Sequence, residues 1–105
     1  DLLEALRHQR AHAPVIFAST NKVYGDLANL AFAEGPDGYA PRDAALARHG
    51  VPESRPLDFH TPYGCSKGAA DQYVLDYARS FAMPAAVFRM SCIYGERQMG
   101  TEDQG

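Results

Sequence analysis

Apolar residues along this chain fall into two kinds of run, and the two alternate. Over residues 1–12, Leu2, Leu3 and Leu6 share one face at 3.6-residue spacing, which predicts a helix that Pro14 stops. His8 and His12 fall on its opposite face. Without a carboxylate or a third ligand beside them they are read as solvated, and no metal site is expected. Val15-Ile16-Phe17-Ala18 is an unbroken apolar run between polar residues, the pattern of a strand buried on both faces.

From Asp26 to Asp58 the texture breaks into short pieces at Gly35-Pro36, Asp37-Gly38, Pro41 and Pro52, with a short helix predicted over Arg42 to His49 and closed by Gly50. Thr61 and Pro62 then stand as a cap and first helical residue. The helix they open is predicted to run to about Ala82, with Ala69, Ala70, Tyr73, Val74, Tyr77, Ala78 and Phe81 on its apolar face and Asp71, Gln72 and Arg79 pointing away. Ala85 to Met90 is a second apolar run of strand length. Helix, buried strand, long loop, helix and buried strand in this order predict an α/β fold, part of a Rossmann-like doubly wound parallel sheet. Such sheets bind ligands beyond the carboxyl ends of their strands, here Ser19-Thr20-Asn21 and Ser91-Cys92.

Composition narrows the function. The chain has 105 residues, 46% of them apolar, enough for one modest unit. Its 13 acidic residues outnumber its 10 Lys and Arg, and no basic cluster exists, so nucleic acid is not an expected partner. No apolar run is long enough to cross a bilayer and no signal peptide opens the chain, so a cytoplasmic setting is expected. The two cysteines, Cys65 and Cys92, are too few and too far apart for a zinc site or a disulfide scaffold. The chain opens on Asp1 inside an amphipathic pattern and stops in polar loop sequence, which predicts an internal piece of a longer protein.

Tyr63 and Lys67 stand one helical turn apart, on the arc of the expected apolar face. A lysine on a sheet-facing side needs a partner, unless it sits near enough to the helix start to escape to water. If it holds a polar ligand, its charge also favours ionisation of the nearby phenol. An ordinary phenol titrates near 10, and ionising it at neutrality requires about 4 kcal/mol.

Three strings together resemble the active-site half of the extended short-chain dehydrogenases, in the NAD-dependent sugar-nucleotide epimerase/dehydratase family. They are Ser19-Thr20-Asn21-Lys22-Val23-Tyr24-Gly25 after a strand, Pro62-Tyr63-Gly64-Cys65-Ser66-Lys67 opening a helix, and Phe88-Arg89-Met90-Ser91-Cys92-Ile93-Tyr94-Gly95. Within that family, Asn21-Lys22 after the threonine and Cys92 are most similar to the CDP-sugar 2-epimerases. The resemblance implies NAD as cofactor and a nucleotide sugar as substrate. It implies Thr20, Tyr63 and Lys67 as catalytic residues, with Ser19, Tyr63, Lys67, Met90 and Ser91 at the cofactor and Asn21, Lys22 and Cys92 at the sugar nucleotide. It further implies a homodimer in the full-length protein.

A UDP-glucose 4-epimerase-like activity stays open. A 4,6-dehydratase is disfavoured because the family's dehydratases typically place Asp-Glu where Asn21 and Lys22 stand. A degenerate, non-catalytic binding module is the reading from another class, and it predicts loss of the catalytic trio. The 105 residues include no Gly-x-x-Gly-x-x-Gly loop to cradle a dinucleotide diphosphate, and no sugar-nucleotide domain follows the second strand. By themselves they are therefore expected to show no nicotinamide binding by calorimetry, and micromolar binding would refute the fragment expectation.

Overall fold

The computed structural model describes residues 2–9 and 13–100. In chain order the elements are α1 (Leu2–His8), β1 (Val15–Thr20), a 3-10 turn (Asn21–Tyr24), β2 (Phe32–Gly35), β3 (Gly38–Pro41), α2 (Ala44–His49), α3 (Thr61–Phe81) and β4 (Ala85–Met90). β1 and β4 pair in parallel with α3 packed across them, the arrangement expected of part of a Rossmann-like sheet. Their register runs from Val15 opposite Ala85 to Thr20 opposite Met90, so both strands end at the same level.

Each boundary has a local cause. The Asp43 side chain accepts the Leu46 N–H at 2.7 Å to start α2, and Gly50, at φ 74°, ends it. At α3 the Thr61 hydroxyl accepts the Gly64 N–H at 3.1 Å, the bond a capping residue makes, and Pro62 follows with no N–H to leave unpaired. The helix closes at Ala82 in the left-handed conformation, two residues before Pro84. The sequence pattern misses β2 and β3, which pair as a hairpin around Pro36-Asp37, because four-residue strands bounded by Gly35, Gly38 and Pro41 look like broken loop.

Three expectations need correction. The strands are not buried on both faces: Ile16 is 66% exposed and Phe88 52%, because α3 covers one face and nothing among the described residues covers the other. In α1, Leu2 is exposed; the helix meets α3 through Glu4, which receives the Arg7 guanidinium and the Tyr77 hydroxyl, the latter at 2.9 Å. These hydrogen bonds, that from Arg7 foremost, lower the Glu4 pKa to about 2. His8 sits 2.9 Å from Glu4, and His12 lies outside the described residues.

The third correction concerns α3. Its buried residues are Gly64, Gly68, Asp71 and Val74, so Asp71 faces the core, whereas Tyr73 and Phe81 are exposed. The buried arc is rotated from the aromatic one because two glycines let neighbouring backbone and ring come close and Arg89 supplies a partner for a buried carboxylate. Arg89 Nε and Nη2 each donate to Asp71 at 2.9 Å, and Nη1 donates to the Tyr24 hydroxyl at 2.9 Å. Burial pushes the Asp71 pKa up, but hydrogen bonds from Arg89 and Gln72, together with the nearby Ser19 hydroxyl, outweigh it and leave the group below its ordinary value.

The network ties α3, β4 and the 3-10 turn together. Asp71→Ala, which strands the Arg89 cation, is expected to cost about 3–5 kcal/mol in urea denaturation of the full-length protein, and replacing both residues by apolar ones of similar size is expected to recover most of it. Because the native Asp71 pKa is depressed, its contribution is present above the unfolded carboxyl value of about 4 and is lost as pH falls through the lower folded value.

Candidate active site

Both parallel strands deliver their last residues to one groove. Thr20, Asn21 and Lys22 reach it from the end of β1, Tyr63 from the first turn of α3, and Met90, Ser91 and Cys92 from the end of β4. The groove is open, about 1170 Å³ in volume. Its location follows from the matched register, which sets Thr20 beside Met90 and brings Asn21 Nδ2 to 3.5 Å from Ser91 Oγ.

Thr20 is buried up to its hydroxyl. Oγ1 accepts the Lys22 N–H at 3.3 Å and donates to Asn21 Oδ1 at 3.4 Å, so this one group both caps the 3-10 turn and faces the groove. Val23, fully buried behind it, anchors the turn. Tyr63 is 57% exposed, its ring standing at the groove wall. One turn along α3, the Lys67 ammonium donates to the Ala18 carbonyl of β1 and lies 4.8 Å from the centre of the Phe17 ring. A backbone acceptor and an aromatic face thus hold it on β1, the strand that carries Thr20.

Two of the residues singled out from the sequence stand behind the groove rather than along it. Ser19 is buried, with its hydroxyl outside hydrogen-bonding geometry of any described group while still contributing to the low Asp71 pKa. Lys67 reaches β1 two residues before Thr20. The sequence pattern did not single out Tyr24, Asp26, His60 or Arg89, which also line the groove. For His60 a signal existed: it directly precedes the Thr61-Pro62 helix start and follows Asp58 by two residues.

Close backbone approaches hold the site together. Gly25, at φ 68°, lies so near Asp58 that a Cβ there would sit 2.7 Å from the Asp58 carbonyl oxygen. At Gly68, next to Lys67, a Cβ would meet the Phe59 ring at 2.3 Å. Among the described residues no cluster of metal-ligating side chains occurs, and no helix is long and apolar enough to cross a membrane.

A parallel pair whose carboxyl ends open onto one groove is where α/β sheets bind their ligands, and the chain belongs to the NAD dependent epimerase/dehydratase family, whose model matches residues 1–105. Among characterised proteins it is 52% identical, over all of its length, to CDP-paratose 2-epimerase of Salmonella typhi, of which it spans 30%. It is also 30% identical over 98 residues to a putative UDP-glucose 4-epimerase of Methanocaldococcus jannaschii, covering 93% of this chain and 26% of that protein. A trifunctional UDP-glucose 4,6-dehydratase/UDP-4-keto-6-deoxy-D-glucose 3,5-epimerase/UDP-4-keto-L-rhamnose-reductase of Arabidopsis thaliana is 29% identical over 97 residues, 92% of this chain and 12% of that protein.

Gly68→Ala is expected to displace the Phe59 ring and cost about 1–3 kcal/mol, measured as a lowered thermal midpoint of the full-length protein.

Proposed function

We propose that this chain carries the catalytic residues of an NAD-dependent nucleotide-sugar 2-epimerase, and that its 105 residues are one part of that longer enzyme. The observation that carries the proposal is the single groove to which β1, α3 and β4 deliver Thr20, Asn21, Lys22, Tyr63, Met90, Ser91 and Cys92. The 52% identity to a CDP-paratose 2-epimerase favours inversion at C2 of a CDP-linked sugar over a 4-epimerase, whose relative stands at 30%. Asn21 and Lys22 occupy the positions where a dehydratase would need an acid and base pair, which speaks against dehydration.

The residues suit a nicotinamide. Met90 offers an apolar floor beside the hydroxyl of Ser91, and the Lys67 ammonium, placed by Ala18 and Phe17, is a donor for ribose hydroxyls. When bound, NAD supplies a hydride acceptor for the carbon being inverted.

Tyr63 takes the proton of the C2 hydroxyl as that carbon is oxidised to a ketone, since a protonated alcohol is a poor hydride donor. Thr20 orients the same hydroxyl. When the alcohol of opposite configuration forms, Tyr63 would give the proton back to the same oxygen. Substrate and product stand at the same oxidation level, so the reaction needs no net oxidant or reductant.

Lys67, one helical turn along α3 from Tyr63, completes the proposed catalytic trio with Thr20 and Tyr63. Asn21 and Lys22, on the wall formed by the 3-10 turn, contact the sugar, and Cys92 lies toward the diphosphate. The full-length enzyme is proposed to pair as a homodimer through helices that include α3, whose exposed Tyr73 and Phe81 are suited to such contact. Its setting is proposed as cytoplasmic, a compartment in which Cys65 and Cys92 stay free thiols.

Tyr63→Phe in the full-length enzyme is expected to lower kcat by about 10²- to 10⁴-fold while CDP-sugar binding is retained. Proton NMR of the product sugar follows which carbon inverts. Inversion at C4, or a Tyr63→Phe enzyme as fast as the parent, overturns the proposal.

A further inference from the structure

His60 has no part in the chemistry above, yet it stands directly before α3 and three residues before Tyr63. Its Nδ1 lies 3.0 Å from Asp26 Oδ2 and its Nε2 lies 3.2 Å from Asp58 Oδ2. The two carboxylates belong to different segments of the chain. Asp26 follows the 3-10 turn that carries Asn21 and Lys22, and Asp58 leads into α3. The two segments already touch: the Asp58 N–H donates to the Val23 carbonyl at 2.9 Å, and Gly25 lacks the Cβ that would push Asp58 away.

We propose that His60 is a positioning residue for this site: its imidazolium, hydrogen-bonded to Asp26 and ion-paired with Asp58, clasps the segment after the 3-10 turn to the start of α3, and so sets the spacing of Thr20 and Tyr63 across the groove. The chemistry of the ring makes the clasp depend on charge. An imidazolium has two N–H donors, whereas a neutral imidazole has one and turns a lone pair toward the other carboxylate. Loss of the proton therefore removes the charge that both carboxylates share and leaves one of them facing a lone pair.

The hydrogen bond to Asp26 and the charges of Asp58 and Asp26 raise the His60 pKa against a smaller opposing effect of burial. The clasp is thus complete below the ordinary imidazole value of about 6.5 and is lost as pH rises through the higher folded value. Lys22 and Tyr24 from the turn, Tyr63 from α3, Arg89 from β4 and Cys92 after it complete the titratable and charged groups lining the same groove. Because the ring and both carboxylates are substantially exposed, the expected effect is modest, about fivefold at most.

This role rests on the epimerase function proposed above, and the test separates the two. In the full-length enzyme with CDP-paratose as substrate, kcat/KM should fall by up to about fivefold through one ionisation above pH 6.5, and the His60 ring should titrate in the same range by NMR. His60→Gln should lack that alkaline limb and stay on the lower plateau at every pH. Asp26→Asn, which keeps the ring but weakens one arm, should move both the limb and the ring titration to lower pH.

A uniform loss in His60→Gln with the limb unchanged would indicate a structural role alone and overturn the proposal. A limb that stays in place while the ring titration moves in Asp26→Asn overturns it too, even if the Gln variant fails to fold. A parent enzyme inactive at every pH on CDP- and UDP-sugars overturns the epimerase function, and the positioning role with it.

Discussion

The paired hydrogen bonds between Arg89 and Asp71 are the constraint on which the arrangement of this chain depends. A carboxylate with no exposed surface sits on α3, which crosses the parallel strands, and the guanidinium from β4 meets it with two donors while a third reaches Tyr24. Taking such charges out of water costs several kcal/mol, and apolar residues of the same size often do as well. The value of the pair here is orientation. A planar fork fixes the rotation of α3 about its own axis, and that rotation decides which way Tyr63 and Lys67 point. Burial of the Tyr24 ring under the same guanidinium extends the constraint to the turn that carries Asn21 and Lys22.

Much of this was legible from residue pattern, and the failures share a cause. Apolar runs located β1 and β4, and Thr61-Pro62 and Pro84 bounded α3 to within a residue. What the pattern could not supply was the direction in which α3 packs, because hydrophobicity pointed to Tyr73 and Phe81 while the real contact uses glycines and an ion pair. Gly64 and Gly68 carry no hydrophobic signal, and Asp71 carries the opposite one. The β2–β3 hairpin was hidden for a related reason: its turn, Pro36-Asp37 before Gly38, is a strong punctuation signal, but strands of four residues are too short to show an alternation. Of the residues read from motifs, Thr20, Asn21, Lys22, Tyr63, Met90, Ser91 and Cys92 come together along the groove while Ser19 and Lys67 stand behind it, and Asp26 and His60, whose partners are distant in sequence, were not singled out.

The groove unites residues that are distant in sequence because two parallel strands stop at the same level. Parallel register gives Thr20 and Met90 a common height, and the loops that follow then spread over one edge of the sheet. Thr20 and Tyr63 line this groove, and the Lys67 ammonium stands behind it on β1. The structure adds how each is held: Thr20 by the turn it caps, Tyr63 by the start of α3, and Lys67 by a strand carbonyl and a ring.

The bare face of the sheet carries a consequence for anyone who would handle these 105 residues in isolation. Ile16 and Phe88, standing open beside Ala18 and Ala86, form a greasy stripe across two adjacent strands, and the unpaired flanks of a two-stranded sheet invite further strands to join. At the concentrations used for spectroscopy such a surface gathers copies of itself, so light scattering rises with protein concentration well before any catalytic question can be posed.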